Sequence, residues 1–168
     1  MSRVLVLAWG NPSRGDDAIG PHLLKSLEDE AASRPEWRKN VFLTDFQLQP
    51  EHALDLDGAD LVLFIDASVA APAPWSFGRV RAARDRSFST HAMSPAALLA
   101  VHESLGAAAP PAWLLAVHGE CFELGAPLGV AAGANAEAAL RVAEDLLSHP
   151  EPDYWENVAS NGGGAIKA

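Results

Sequence analysis

The chain of 168 residues is long enough for one domain with a packed core, because 49% of its residues are hydrophobic and only 20% are charged. Its formal net charge of −10 argues against binding to nucleic acid or to an anionic membrane surface, since both require basic patches. The single cysteine, Cys121, excludes an intramolecular disulfide and a cysteine-rich metal site, and it is typical of a reducing compartment. Because the N-terminal apolar run, Val4–Trp9, is too short for a signal peptide or a membrane span, we expect a cytoplasmic protein.

The first half of the chain alternates predicted strands and helices. Val4–Trp9 is apolar throughout, which is typical of a strand buried on both faces of a parallel sheet. A helix is predicted after the Gly10–Asp17 loop, with Pro21 in its first turn. Asp16 or Asp17 is the expected cap of this helix. The elements expected next are a strand at 41–44, a short helix opened by Pro50, and an apolar strand at 61–65 that ends at Asp66.

The second half continues the alternation and ends in a tail of different composition. The elements expected here are an excursion over 69–77, an edge strand at 78–83, a helix from Ser94–Pro95 to Gly106, a strand at 113–117 and a helix over about 135–147. Residues 149–168 are rich in proline and glycine, and we expect them to form a flexible tail, although Tyr154 and Trp155 could dock. The single domain is then expected over residues 1–148.

The alternation of strands and helices predicts the fold class. Apolar strands need cover on both faces, which favours an α/β fold, a three-layer α/β/α sandwich around a mostly parallel sheet. In such sheets, ligands bind beyond the carboxyl ends of the strands. The Gly10–Asp17 loop follows the first strand and Asp66 ends the third, so both should lie at the same edge of the sheet.

The Gly10–Asp17 loop contains glycines but lacks both phosphate-binding patterns, Gly-x-Gly-x-x-Gly and Gly-Lys-Ser/Thr. Its adjacent acids, Asp16 and Asp17, would repel phosphate and attract a cation. The alternative is structural, because either acid could cap the following helix and favour its positive end. The two roles are compatible if one acid caps the helix and the other points into the cleft.

Asp66 and His91 complete a candidate ligand set. Asp66 follows five apolar residues, where an unpaired charge is costly, and hydrogen bonds from loop amides are the alternative explanation for it. His91 precedes the helix that begins at Ser94–Pro95, and a histidine in a loop is often structural. Two carboxylates and one imidazole suit a borderline cation such as Ni²⁺ or Zn²⁺ and leave positions open for water or a partner's ligand.

The remaining histidines and Cys121 are weaker candidates. His118 ends a strand and could approach the same cleft. Cys121 lies three residues after it, and we favour structural burial of this thiol over catalysis. No Gly-x-Ser-x-Gly nucleophile turn is present in the sequence. The histidines expected at the surface are His22, His52, His102 and His149.

At these residues the sequence resembles the hydrogenase maturation endopeptidases, which process the large subunit of nickel–iron hydrogenases. The resemblance is collinear over about residues 3–147, and its first segment is the most specific. The segments that carry it are Val4–Gly20, Gln47–Glu51, Leu61–Ala67, Ser89–His91 with Ser94–Pro95, and Gly119–Gly125.

The resemblance implies an α/β/α fold with a twisted sheet, and it implies that Asp17, Asp66 and His91 bind nickel or a surrogate divalent ion. The implied partner and substrate is a nickel-loaded large-subunit precursor, from which a short C-terminal peptide is removed. Two departures stand out, because many relatives carry Glu where Asp17 stands and often Gly where this chain has Ala8-Trp9. Trp9 beside the cleft is then expected to shape substrate choice.

The sequence leaves more than one mechanism and more than one functional class open. Nickel could polarise the scissile carbonyl or activate water, or it could serve only for recognition while Asp17 or Asp66 acts as general base and Asp16 assists. A second hypothesis is a non-catalytic nickel-binding checkpoint module for the precursor. A third is a small-molecule enzyme similar to nucleoside phosphorylases, which the acidic Gly10–Asp17 loop disfavours. We expect a monomer, because no segment shows an unpaired amphipathic stripe.

Overall fold

The computed structural model describes residues 2–84 and 93–162. Its strands are β1 (Val4–Trp9), β2 (Val41–Asp45), β3 (Leu61–Ser68), β4 (Trp75–Val80) and β5 (Ala112–His118). Its α-helices are α1 (Ile19–Ala31), α2 (Pro95–Ser104), α3 (Val130–Ser148) and α4 (Pro152–Gly162). Short 3₁₀ helices cover Gly15–Ala18, Pro35–Trp37 and Pro50–Leu54.

The five strands form one sheet in the order β2-β1-β3-β5-β4. The pairs β1–β2, β1–β3 and β3–β5 are parallel, whereas β4 pairs antiparallel with β5 at the edge. The carboxyl ends of β1, β2, β3 and β5 therefore share one edge, which we call the carboxyl edge. The predicted α/β fold with a mostly parallel sheet is confirmed.

Helices cover both faces of the sheet, and each face has its own hydrophobic cluster. Alternate residues of β1 point to opposite sides, with Val6 in one cluster and Leu7 in the other. The helices α1, α3 and α4 cover the first face, while α2 and the Pro50–Leu54 helix pack together over the second. The resulting three layers agree with the predicted sandwich.

Helix α1 buries the apolar stripe expected for it, but it begins differently. Ile19, Leu23 and Leu27 are fully buried against the sheet. A 3₁₀ turn over Gly15–Ala18 precedes the helix, and no side chain caps either segment. The prediction that Asp16 or Asp17 caps this helix is therefore wrong, because both carboxylates bind other backbone amides, as described below.

Other element boundaries were predicted with small errors. Ser94 caps α2 as expected, and its Oγ accepts a 3.1 Å hydrogen bond from the Ala97 N–H. Strand β3 continues past Asp66 to Ser68, since β5 pairs with it along this length. Helix α3 begins at Val130, earlier than expected, because the alanine-rich residues that follow favour a helix.

The prediction of a flexible tail from residue 149 is wrong for residues 152–162, which form α4. Trp155 is fully buried, and its indole packs edge-to-face on Trp113 with ring centroids 5.1 Å apart. Its Nε1–H is 3.0 Å from the carbonyl oxygens of Leu146 and His149. The docking of this single large aromatic side chain outweighs the polar composition around it, and the domain extends to residue 162.

Among the described residues, no helix combines the length and the apolar character needed to cross a membrane.

Candidate active site

A row of side chains crosses the carboxyl edge from β2 to β3. Trp9 ends β1 and lies opposite Asp45, the last residue of β2. The register of β1 and β3, with Ala8 opposite Ile65, brings Trp9 beside Asp66 on its other side. Asp66 is partly buried. Because this carboxylate belongs to a central strand and not to a loop, the sheet itself fixes its direction.

The Gly10–Asp17 loop returns the chain to the same edge. Gly10 has φ +149°, and a Cβ atom there would lie 2.0 Å from the carbonyl oxygen of Asp17, so the loop can close this tightly only at glycine. The Asn11 N–H donates a 2.7 Å hydrogen bond to Oδ2 of Asp17. These contacts hold Asp17 at the end of β1, and the prediction that the loop and Asp66 share one edge is confirmed.

The environment of Asp66 disfavours its charged form. Burial raises the pKa of this carboxyl to about 7, and the negative charge of Asp17 adds to the increase. Hydrogen bonds from the Ala67 backbone and the Trp9 side chain act in the opposite direction and lower the pKa. Asp17 and Asp66 are therefore close enough for their charges to interact, and their repulsion is only partly compensated.

Such a pair can do two kinds of chemistry. A divalent cation between the carboxylates would relieve their repulsion and replace the proton on Asp66. Without a cation, a carboxyl whose pKa is about 7 is suited to accept and return a proton near neutral pH. Strongly perturbed carboxyls beyond the carboxyl ends of parallel strands are a common feature of functional sites.

Asp16 has a different role from the one expected, although it is adjacent to Asp17. Its side chain is 3% exposed and accepts hydrogen bonds from the backbone N–H groups of Glu120 (2.7 Å), Cys121 (3.1 Å) and Gly129 (2.8 Å). Burial raises the pKa of the Asp16 carboxyl, but these three bonds outweigh it and hold the pKa below its ordinary value. Asp16 is thus neither the cap of α1 nor a free acid.

Asp16 joins the first loop to the loop between β5 and α3. A Cβ atom on Gly119 would lie 2.9 Å from Cβ of Asp16, so the second loop approaches the carboxylate as closely as glycine permits. Gly129 is the N-cap of α3, and the Asp16 charge also favours the positive end of that helix. The two loops form one braced structure beside the Asp17–Asp66 pair.

His91 belongs to residues 85–92, which lie outside the described residues, so its place in the site stays a prediction. Within residues 2–84 and 93–162, no three His, Cys, Asp or Glu side chains are grouped as metal ligands. The described part of the expected ligand set is the carboxylate pair, Asp17 and Asp66.

His118 reaches the carboxyl edge, as its position at the end of a strand suggested. It lies opposite Ser68 in the register of β3 and β5. Its Nδ1 is 2.8 Å from the carbonyl oxygen of Ala71, which requires a proton on Nδ1. Its Nε2 is then directed toward Glu120, 3.6 Å from Oε1. His118 therefore anchors the loop that follows β3.

Three other expectations for polar residues were wrong. His102 is buried, with Nδ1 3.1 Å from the carbonyl oxygen of Ala53, because it links α2 to the Pro50–Leu54 helix. The His52 side chain is only 12% exposed and accepts a 2.8 Å hydrogen bond from the Gln49 N–H. Cys121 is exposed and not buried. The histidines that are exposed as expected are His22 and His149.

Sequence reasoning missed two contacts that shape the site. One is the effect of the Trp9 side chain, which lowers the pKa of Asp66 beside it, although Trp9 was expected beside the cleft. The period of two along parallel strands could have indicated this neighbour once the register was known. The other is the set of amides around Asp16, for which no local pattern gives a signal, because its donors come from residues more than 100 positions away.

No protein-family profile matches the sequence, and no curated protein matches it significantly. Solved structures do resemble it in fold. The [NiFe] hydrogenase maturation protease HycI from Thermococcus kodakarensis superposes with a TM-score of 0.67 at 20% identity, covering 88% of this chain and 93% of that one. The hydrogenase maturating endopeptidase HybD from E. coli gives a TM-score of 0.67 at 24% identity, with the same coverage.

A third similar structure is the hydrogenase 2 maturation peptidase from Thaumarchaeota archaeon SCGC_AB-539-E09. Its TM-score is 0.60 at 21% identity, and the alignment covers 86% of this chain and 97% of that one. The chain thus has the α/β fold that these maturation proteases share, over nearly the full length of each.

Proposed function

We propose that this chain is a hydrogenase maturation endopeptidase. It would remove a short C-terminal peptide from the nickel-loaded large-subunit precursor of a nickel–iron hydrogenase. The observation that carries the proposal is the Asp17–Asp66 pair, held at the carboxyl edge of a fold that maturation proteases share. The composition of the ligand set, two carboxylates with the imidazole of His91, supports a borderline cation such as nickel.

In this proposal nickel arrives with the substrate and is not a resident cofactor. Asp17 and Asp66 would bind the cation of the precursor, which would offset the repulsion between them. Binding would hold the precursor's C-terminal segment beside the carboxyl edge, so that the scissile peptide is presented to the site. His91 would supply the third ligand.

Two routes to hydrolysis fit the same residues. In one, the substrate's nickel polarises the carbonyl or activates water, and the enzyme contributes ligands. In the other, nickel is a recognition element, and a carboxylate of the pair takes a proton from the attacking water. The raised pKa of Asp66 supports its choice as that base where other groups hold the nickel, because a cation on Asp66 would displace its proton.

A non-catalytic checkpoint module is the alternative, since a repelling carboxylate pair would bind a cation without any cleavage. Incubation of the chain with nickel-loaded precursor, followed by intact-mass measurement, separates the two. Endopeptidase activity predicts a precursor shortened by one C-terminal peptide, and no shortening of nickel-free precursor. A precursor that binds but keeps its full mass, while a known maturation protease processes the same sample, would establish the checkpoint instead.

A further inference from the structure

Exposed apolar side chains are concentrated at the carboxyl edge. The large hydrophobic residues that are strongly exposed in the described chain are Phe46 (66%), Leu54 (69%), Val69 (62%), Leu105 (62%), Leu124 (70%) and Val130 (94%). Four of these six lie in the loops that leave the carboxyl ends of β2, β3 and β5, or at the first residue of the helix that ends such a loop. We call these four the apolar rim: Phe46, Val69, Leu124 and Val130.

The apolar rim follows strands that lie on both sides of β1 along the carboxyl edge. Phe46 follows β2, Val69 follows β3, and Leu124 and Val130 follow β5, so the rim extends across three strand spacings, about 15 Å. Strand β1, which leads to Asp17, lies between β2 and β3. Several large apolar side chains grouped on one edge and bordered by polar residues are typical of a protein-binding surface.

The part of the rim around Leu124 is rigid before any partner binds. The Gly125 N–H donates a 2.7 Å hydrogen bond to the Ser13 carbonyl, and the Gly15 N–H donates a 3.0 Å bond to the Ala126 carbonyl. These bonds tie the loop that carries Leu124 to the first loop just after that residue, and a 2.8 Å bond from the Asp16 N–H to the Cys121 carbonyl ties it before that residue. Its exposure therefore belongs to a braced loop, and docking on it would cost little conformational entropy.

The charges at this edge define the chemistry of the partner. The loops over 10–18, 45–51, 66–74 and 118–129 contain a single basic side chain of Lys or Arg type, Arg14. Their exposed acids are Asp45, Glu51, Glu120 and Glu123, whereas Asp16 is buried and Asp17 and Asp66 are partly buried. A complementary surface would present apolar side chains ringed by Lys and Arg.

We propose that the apolar rim docks the folded body of the precursor, through a precursor surface of apolar side chains ringed by Lys and Arg. This inference rests on the proposed function and adds a second contact area to it. The rim binds the body of the substrate, while the Asp17–Asp66 pair receives its metal and C-terminal segment. Affinity for the precursor therefore depends on residues that take no part in hydrolysis.

Affinity measurements with matched aspartate substitutions test the rim. Leu124→Asp and Val130→Asp, combined, place charges on the rim, whereas Leu105→Asp places one on a leucine of 62% exposure beyond the end of α2. The segment after α2 leads to the amino ends of the strands, where the Val62 N–H bonds to the Pro111 carbonyl. We expect the double variant to bind nickel-loaded precursor at least about tenfold more weakly, and Leu105→Asp to bind within about twofold of the parent chain.

Steady-state kinetics sharpen the test, because loss of docking should raise KM and leave kcat at saturating precursor unchanged. A thermal melt of each variant checks that it folds. If the double variant does not fold, the milder Leu124→Ser replaces it in the affinity measurement. Unchanged affinity in the folded rim variants, or an equal loss in Leu105→Asp, would overturn the inference while processing by the parent chain continues. A parent chain that neither binds nor cleaves any precursor would overturn the proposed function as well.

A second pair of matched variants tests the acidic side chains that border the apolar rim. Glu123→Gln removes an exposed acid from the edge, and Glu28→Gln removes an exposed acid from α1. We expect slower association with the precursor, and a weaker dependence on salt, only for Glu123→Gln. Equal association rates for both variants would contradict the basic ring inferred for the partner.

Discussion

Asp16 and Asp66 are carboxylates at the same edge of the sheet, and their surroundings are opposite. Asp16 accepts three backbone hydrogen bonds, which hold its pKa below the ordinary value despite burial. Asp66 lies beside another carboxylate with less compensation, and burial raises its pKa to about 7. The first environment stabilises the charged group, whereas the second leaves it in need of a proton or a cation.

At this edge, the carboxylate that stabilises the fold and the carboxylate suited to bind a ligand are different residues. A buried carboxylate whose hydrogen bonds are all made, such as Asp16, holds loops together, and these hydrogen bonds stabilise the folded chain. A partly buried carboxylate with too few hydrogen bonds, such as Asp66, lowers the stability of the free protein. It becomes favourable only when a proton or a cation binds to it. The adjacent positions Asp16 and Asp17 thus belong to different systems, one to the brace and the other to the pair with Asp66.

The largest effect on stability is expected from Asp16→Ala. Removal of this carboxylate leaves the amides of Glu120, Cys121 and Gly129 without an acceptor, which should lower the free energy of unfolding by about 3–5 kcal/mol. Urea unfolding measures this loss. Asp29→Ala, at an exposed site on α1, should change stability by less than about 0.5 kcal/mol. Equal changes in the free energy of unfolding of the two variants would mean that the Asp16 carboxylate does not stabilise the two loops.

A smaller effect of opposite sign is expected at Asp66, and it depends on pH. The folded pKa is raised above the ordinary value of 3.8 to about 7, so the folded chain binds the proton more tightly than the unfolded chain. Stability from this group is therefore present at low pH and is lost as pH rises toward 7. Asp66→Asn should be more stable than the parent chain by roughly 2 kcal/mol at pH 8, with little difference at pH 4.

Unfolding in metal-free buffer at the two pH values checks this prediction, since a bound cation would mask the repulsion. If the difference in the free energy of unfolding between Asp66→Asn and the parent chain does not vary with pH, the pKa of Asp66 is not raised in the folded chain. The comparison with Asp16 would then fail.

The smallest stability effect is expected from Trp9→Phe. This change keeps an aromatic ring against Phe64, whose centroid lies 5.9 Å away, but removes the indole N–H that lowers the pKa of Asp66. We expect a loss of about 1 kcal/mol and a further rise in the pKa of Asp66. Titration of the Asp66 carboxyl by NMR in both chains measures the shift. A fall in the pKa of Asp66 would contradict the effect assigned to the Trp9 indole.

Much of the fold could be predicted from the sequence, because the apolar strands and their spacing are local patterns. The shared edge of Asp17 and Asp66 followed from the expectation of parallel strands, since each residue comes after the end of an apolar strand. The brace around Asp16 could not be predicted, since its donors at Glu120 and Cys121 are separated from it by 104 and 105 positions. Helix α4 was missed for a similar reason, because the site that buries Trp155 is formed by distant strands.

His91 marks the limit of the candidate site. Its role as third ligand is a prediction from the resemblance to maturation endopeptidases, and the structure describes only the carboxylate part of the set.

The most direct test of the central claim is the rate at which variants process nickel-loaded precursor, followed by intact mass. Asp66→Asn keeps the shape of the side chain and removes its charge, and Asp29→Asn makes the same change on the exposed surface of α1. We predict that Asp66→Asn remains folded and loses at least about 100-fold in rate, while Asp29→Asn processes at the parent rate. Processing by Asp66→Asn at the parent rate would contradict the assignment of the active site to the Asp17–Asp66 pair.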